Sequence, residues 1–179
     1  MEEKTLYTLL VYSENIAGIL NQITAVFTRR QVNIESLNVS ASSIEGLHKY
    51  TITAWSDEDQ ITKITRQIEK KIDVVKASFY KDDELFIRET GLYKLSSPEV
   101  LANPEISRTV RRNDAYITEV NPIYVIVLKS GRTEEIMDLY YALAKFGCVL
   151  QYTRSGRIAV TRSTEEEVSK FLEQREKEG

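Results

Sequence analysis

Cysteine is almost missing from this chain. Cys148 is the only one in 179 residues, so an internal disulfide is impossible and a reducing, cytoplasmic setting is expected. Histidine is equally scarce. His48 stands alone, without the Cys or His neighbours of a metal site, and no nucleophile-elbow or phosphate-cradling glycine pattern accompanies the serines. Hydrolytic, metal-dependent and nucleotide-cleaving chemistries thus lose their usual residues, and no cofactor is expected. Long apolar runs are missing as well: Ile123–Leu128 is strand-sized and too short to cross a bilayer. The start at Glu2 and Glu3 is acidic where a secretory leader would be basic, so secretion is not expected. A formal net charge of −3 offers no general attraction to nucleic acid or anionic lipid, so neither a nucleic-acid nor a membrane partner is expected.

What is present is periodicity. Thr5–Tyr12 reads as a strand whose two alternating sets, Tyr7/Leu9/Val11 and Leu6/Leu10/Tyr12, are both apolar; its second face therefore needs a cover, most simply a partner subunit. From Gly18 to Arg30 the period becomes helical, with Ile19, Leu20, Ile23, Val26 and Phe27 on one stripe. Val32–Ala41 and His48–Trp55 read as strands around a turn at Ser42–Gly46. Ser56 and Asp59 resemble a capping box opening a helix that carries Ile61, Ile64, Ile68 and Ile72. Val74–Tyr80 is a fourth strand. The order β-α-β-β-α-β predicts a ferredoxin-like sandwich over 1–80, and acidic 81–84 is expected to be a flexible linker.

The remainder, 85–179, repeats the plan. Leu85–Leu95 is a strand with a bulge expected at Gly91. Ser97-Pro98 opens a helix that Pro104 interrupts or restarts. Ala115–Val120 and Ile123–Leu128 are strands joined at Asn121-Pro122, and Thr133–Phe146 is a helix stopped by Gly147. Cys148–Thr153 and Arg157–Thr161 are expected to form a hairpin across Arg154-Ser155-Gly156. A last helix from Ser163 or Thr164 carries Val168, Phe171 and Leu172. The fold class is α+β, with two ferredoxin-like domains.

One segment carries chemistry. In Glu14-Asn15-Ile16-Ala17-Gly18-Ile19-Leu20 a strand becomes a helix through glycine, and a helix start exposes N–H donors. The N–H groups of Gly18, Ile19 and Leu20 suit a carboxylate, aided by the helix dipole. The Asn15 carboxamide offers an oxygen to an ammonium, and Asn33 offers another, from this chain or a neighbour. Apolar Ile16 and Ile34 would select an aliphatic amino acid. The same residues also read as an ordinary turn and helix cap. Elsewhere Arg108, Arg111 and Arg112 read as a solvated helix face or subunit contact. Asp57-Glu58-Asp59 reads as an acidic helix start, Glu165–Glu178 as a solvated amphipathic helix, and Cys148 as a buried thiol. No catalytic or metal-binding residue is assigned.

Taken together, Glu14-Asn15-x-x-Gly18-x-Leu20 and Asn33-Ile34-Glu35-Ser36-Leu37-x-Val39 resemble the N-terminal ACT domain of the regulatory (small) subunits of acetohydroxyacid synthase, also called acetolactate synthase. The similarity continues at Thr51-Ile52 and Asp73-Val74-Val75, and more thinly at Arg88-Glu89, Val120-x-Pro122-x-Tyr124 and Arg154-Ser155-Gly156. The family often carries glycine two positions before the strand-start asparagine, where this chain has Gln31. The resemblance implies an N-terminal ACT domain, homodimers formed through it, and no catalysis of its own. It further implies a thiamine-diphosphate-dependent catalytic (large) subunit as partner, activated by this chain and inhibited through it by a branched-chain amino acid, usually valine. By the family pattern the effector lies between two ACT domains. Asn15, Ile16, Ala17, Gly18, Ile19 and Leu20 come from one chain, Asn33 and Ile34 from the other. The alternative is an ACT-domain sensor serving another enzyme or a transcription factor.

Overall fold

The computed structural model describes residues 4–164 and 167–178. Glu2 and Glu3, on which the leader argument rests, lie outside the described residues, as do Glu165 and Glu166 of the expected last helix. By its contacts the chain divides into two units. One runs to Phe86 and resumes at Arg157; the other is Ile87–Gly156.

The first unit holds β1 (Thr5–Glu14), α1 (Ile19–Arg29), β2 (Ile34–Ala41), β3 (Leu47–Ser56), α2 (Glu58–Glu69) and β4 (Val74–Tyr80). The sheet order is β2-β3-β1-β4, with antiparallel neighbours throughout. This is the ferredoxin-like order expected from β-α-β-β-α-β. Tyr7, Leu9 and Val11 of β1 share a core with Ile23, Val26 and Phe27 of α1 and Ile61, Ile64 and Ile68 of α2. The helical period of the apolar residues places both helices on one sheet face. α2 starts one residue later than the capping-box reading: Asp57 is the cap, its carboxylate accepting from the Gln60 N–H at 2.7 Å. The shorter aspartate reaches the helix start while Ser56, fully buried at the end of β3, donates to the Gln60 side chain at 3.1 Å.

α1 ends at a residue of unexpected type. Gln31 has φ +54°; its N–H donates to Thr28 O at 3.0 Å and the Val32 N–H reaches Phe27 O at 3.0 Å. These two bonds are the Schellman termination, whose left-handed residue is usually glycine.

The second unit repeats the plan with β5 (Leu85–Ser96), α3 (Ser97–Ala102), α4 (Pro104–Arg112), β6 (Tyr116–Val120), β7 (Tyr124–Gly131), α5 (Thr133–Ala144) and β8 (Val149–Arg154). The path is β6-β7-β5-β8. Pro104 restarts the interrupted helix as the sequence suggests. α4 closes as α1 does: Asp114 is left-handed at φ +51°, and the Ala115 N–H reaches Val110 O at 3.1 Å. Gly147 (φ +67°) follows α5 as anticipated.

Four expectations fail. Gly91 makes no bulge; the β5–β8 register shifts between Lys94 and Leu95 instead. A Cβ on Gly91 would sit 2.7 Å from Ile136 Cγ2 and 2.9 Å from the Tyr93 hydroxyl, so close approach of α5 demands glycine there. The hairpin across Arg154–Gly156 is replaced by two strands that each pair with β5, β8 and β9 (Ile158–Thr161). The chain keeps to the β5 edge because the Ser155 N–H donates to Thr90 O and the Thr90 N–H to Ser155 Oγ, both at 2.9 Å. The 81–84 linker is an ordered 3-10 turn, Asp82–Glu84, whose Asp82 carboxylate accepts from buried Arg157 at 2.9 Å. Finally, a domain running from 85 to 179 loses its last strand and helix, since residues from Arg157 onward contact the first unit.

That last difference answers the doubly apolar first strand. Leu10 and Tyr12 are 4% and 5% exposed on the sheet face away from α1 and α2. The chain's own Val160, Thr161 and α6 (Glu167–Glu178), through Val168, stand over that face. The cover is therefore intramolecular where a partner subunit was expected. Among the described residues no helix is long and apolar enough to cross a membrane.

Candidate functional site

The Asn15–Leu20 segment forms the turn anticipated from its sequence. The Asn15 N–H donates to Gly46 O at 3.2 Å, tying the end of β1 to the β2–β3 turn, and the Ile16 N–H donates to Glu14 O at 3.1 Å. Gly18 then takes φ +88° at the head of α1, a conformation that glycine adopts without strain. A Cβ there would meet nothing within 4 Å, so glycine serves the backbone and not a tight packing contact.

α1 opens with no side-chain cap and no acidic residue in its first turn. Its leading N–H groups keep the unpaired donors that attract anions. The Ile19 N–H leans toward Ile16 O at 3.5 Å, and the Gly18 carbonyl accepts from Gln22 at 3.1 Å. Around these donors Asn15, Ala17 and Gly18 are exposed, and Ile16 and Leu20 are each 41% exposed. Ile19 is different: its side chain enters the core at 3% exposure, leaving only its backbone to the site. Gly46, left-handed at φ +81°, is the positioning residue that sequence reasoning passed over; it looked like an ordinary turn glycine.

Asn33 and Ile34 do not join this cluster within one chain. Ile34 pairs with Ala54, which pairs with Tyr7, whereas Glu14 pairs with Leu47 at the other end of β3. Seven residue steps along β1 separate Tyr7 from Glu14, roughly 23 Å of sheet at ~3.3 Å per step. Asn33 is exposed just before β2, and Ile34 is half-buried against the core.

The remaining candidates have structural employment. His48 is half-buried in β3, and no group of potential metal ligands exists among the described residues. Cys148 is fully buried, its thiol 3.6 Å from Leu143 O, and burial pushes its pKa up. Arg108 and Arg112 pair with Glu105 on the solvated face of α4, the latter at 3.7 Å. Asp57 caps α2, and Glu58 lies 3.4 Å from Lys81. Buried Glu89 accepts from Arg154 at 2.9 Å and from the Thr133 hydroxyl at 2.7 Å. Arg88-Glu89 and Arg154-Ser155-Gly156 thus build the second sheet.

Comparison with known proteins identifies the family of the chain. Residues 9–76 match the model of the AHAS small subunit-like ACT domain, and residues 88–163 that of the small subunit of acetolactate synthase. The acetolactate synthase small subunit of Bacillus subtilis is 30% identical over 168 residues, spanning 93% of this chain and 95% of that protein. The Mycobacterium bovis acetolactate synthase small subunit is 29% identical over 162 residues, spanning 90% and 95%. In fold the chain is similar to the crystal structure of the acetolactate synthase small subunit from Thermotoga maritima, with TM-score 0.80 and 24% identity, covering 89% of this chain and 99% of that one. With an ACT domain first and a second ferredoxin-like domain after it, this chain belongs to the acetolactate synthase small-subunit family.

Proposed function

We propose that this chain is the non-catalytic subunit through which a branched-chain amino acid, valine in the first instance, feeds back on a thiamine-diphosphate-dependent acetolactate synthase. It dimerises through its ACT domains, activates the catalytic subunit, and passes on inhibition when the effector binds. The observation carrying this reading is the uncapped α1 start beside exposed Asn15 and two exposed aliphatic side chains. Carboxylate, ammonium and branched chain each find a complementary group there, charge-assisted at the first two.

The split between Asn15–Leu20 and Asn33–Ile34 supports a dimeric site. β2 is an edge strand without proline or lysine to block pairing. Two copies joined antiparallel along β2 bring Ile34 of one against the Ala41 end of the other. Ala41 pairs with His48, beside Leu47 and Glu14. The second copy's Asn33 and Ile34 therefore arrive at the end of the sheet where Asn15–Gly18 waits. Ligand bridging two copies biases their arrangement, and a coupling of ~1–3 kcal/mol is enough for feedback control.

Val39→Lys, on the exposed side of β2 (37% exposed), sets like charges across this interface. Sedimentation should show a monomer, and calorimetry should show valine binding lost with it. A monomeric variant that binds valine as the parent does refutes the shared site. Reconstituted synthase assayed with valine, leucine and isoleucine then tests activation and inhibition.

A further inference from the structure

The apolar period of α2 does not end where the helix does. Ile61, Ile64 and Ile68 are fully buried, and Ile72 continues their spacing, so a longer helix would bury it beside them. α2 stops at Glu69 instead. The Lys71 N–H donates to Ile68 O at 3.0 Å, and the Val74 N–H to Lys71 O at 3.1 Å. That turn holds Ile72 away from the core at 99% exposure, more than any other large apolar side chain described. The Asp73 carbonyl beside it accepts from the Glu14 N–H at 2.9 Å, one residue before the Asn15–Leu20 turn.

Lys63, Arg66 and Lys70 lie on the exposed side of α2 at i, i+3 and i+7, a stripe about 10 Å long at ~1.5 Å per residue. With Arg30 and Gln67 they line a groove of about 330 Å³, and its described lining contains no carboxylate. Lys63 pairs with Asp59, and Arg30 donates to the Gln67 side chain at 3.1 Å. The Arg66 and Lys70 side chains are exposed and have no ion-pair partner among the described residues.

Charge separates the occupants such a surface could take. A second copy related by a two-fold axis at this face would set cation against cation. A nucleic acid would neutralise the stripe, yet it would leave Ile72 in water and would meet a chain of net charge −3. A protein surface with carboxylates beside an apolar pocket satisfies both features.

We propose that the outer side of α2 and the α2–β4 turn dock the catalytic subunit, whose carboxylates meet Arg66 and Lys70 and whose apolar pocket takes Ile72. This docking role presupposes the function proposed above and names the surface for it. The Glu14–Asp73 hydrogen bond sets the docking turn against the strand end that leads into the effector turn. Ligand at Asn15–Leu20 and partner at Ile72 thus act on one shared stretch of backbone.

The test measures calorimetric binding of the full chain to its catalytic subunit, together with activation of the synthase. Ile72→Ser should weaken binding about ten-fold and leave the melting midpoint of the chain unchanged, since this side chain is outside the core. Arg66→Glu with Lys70→Gln should weaken it at least as much and flatten its dependence on salt. Arg111→Glu with Lys145→Gln makes the same charge change at exposed positions of the second unit and should bind as the parent does. Parent-like affinity in Ile72→Ser or in the Arg66/Lys70 variant overturns the inference, as does equal loss in the Arg111/Lys145 control. Losses confined to single-stranded RNA binding, or to self-association in sedimentation, assign the surface to another occupant and overturn it too. A parent chain that neither binds nor activates the catalytic subunit overturns the proposed function itself, and this inference with it.

Discussion

Replacing Gly18 by aspartate probes the proposed anion seat without crowding the protein. A Cβ at this position meets no neighbour within 4 Å, so there is open space for the substituent. Its backbone, at φ +88°, costs an L-residue about 1–2 kcal/mol, which the fold should survive. The effect on binding is far larger. An aspartate carboxylate ~4 Å from a bound carboxylate, near a protein surface, is opposed by about 4 kcal/mol. That corresponds to roughly a thousand-fold loss of valine affinity. Gly18→Ala carries the same backbone cost without the charge and is the necessary control. Calorimetry on both variants, with their dimer content checked by sedimentation, should show binding lost in Gly18→Asp and largely kept in Gly18→Ala. Unchanged valine affinity in Gly18→Asp would refute the site. Equal loss in both would mean that turn geometry, and not an anion seat, governs binding.

The remaining predictions concern the scaffold. Gln31→Gly relieves a left-handed residue in the Schellman termination of α1 and should stabilise the chain by about 1 kcal/mol, raising its melting midpoint by a few degrees; an unchanged or lowered midpoint contradicts this. Arg154→Met removes the cation paired with the buried Glu89 carboxylate (side chain 3% exposed) and should cost about 3 kcal/mol, while adding Glu89→Gln should recover much of it; urea unfolding decides. Burial pushes up the pKa of Tyr93, with help from Tyr152, and burial likewise raises Tyr152 and Cys148. Groups with folded values above their unfolded ones give stability that is complete below the unfolded values, about pH 8.5–10, and that is lost as pH climbs through the folded values. The urea midpoint should thus hold to about pH 8 and then fall, less steeply in Tyr93→Phe; a midpoint flat to about pH 11 would contradict this assignment.

Legibility in the sequence followed the range of the interactions. β1, α1, α2 and α5 were readable because their apolar periods are set by one sheet face and one helix stripe. Gly18 and Gly147 were readable because a helix end asks for a residue that tolerates positive φ. Gln31 and Asp114 meet the same demand with side chains that give no warning, so their left-handed backbone was hidden. Arg154-Ser155-Gly156 carries turn residues, yet the exchange between Ser155 and Thr90 keeps the chain on one edge; turn composition does not say whether the direction reverses. The cover over Leu10 and Tyr12 was hidden for a related reason. Two apolar faces announce that something packs there, not which part of the chain supplies it. Lys49 and Lys76 looked like ordinary polar positions until register set them on either side of Tyr12.

Register also explains why an effector here would act on assembly and not merely fill a hole. Both halves of the proposed site lie on a stiff sheet, and no bend of β2 within one domain brings Asn33 across roughly 23 Å to Asn15. A ligand that needs both halves therefore binds only a pair of chains. With ligand at about 100 times its dissociation constant, each site contributes ~2.7 kcal/mol to the paired state. Two symmetric sites double that figure, enough to change a dissociation constant by more than a thousand-fold. Had the two asparagines met inside one chain, the same contacts would have given affinity with no leverage over the partner. In the proposed site, the separation that leaves a single domain an incomplete receptor is what would let ligand occupancy reach a second subunit.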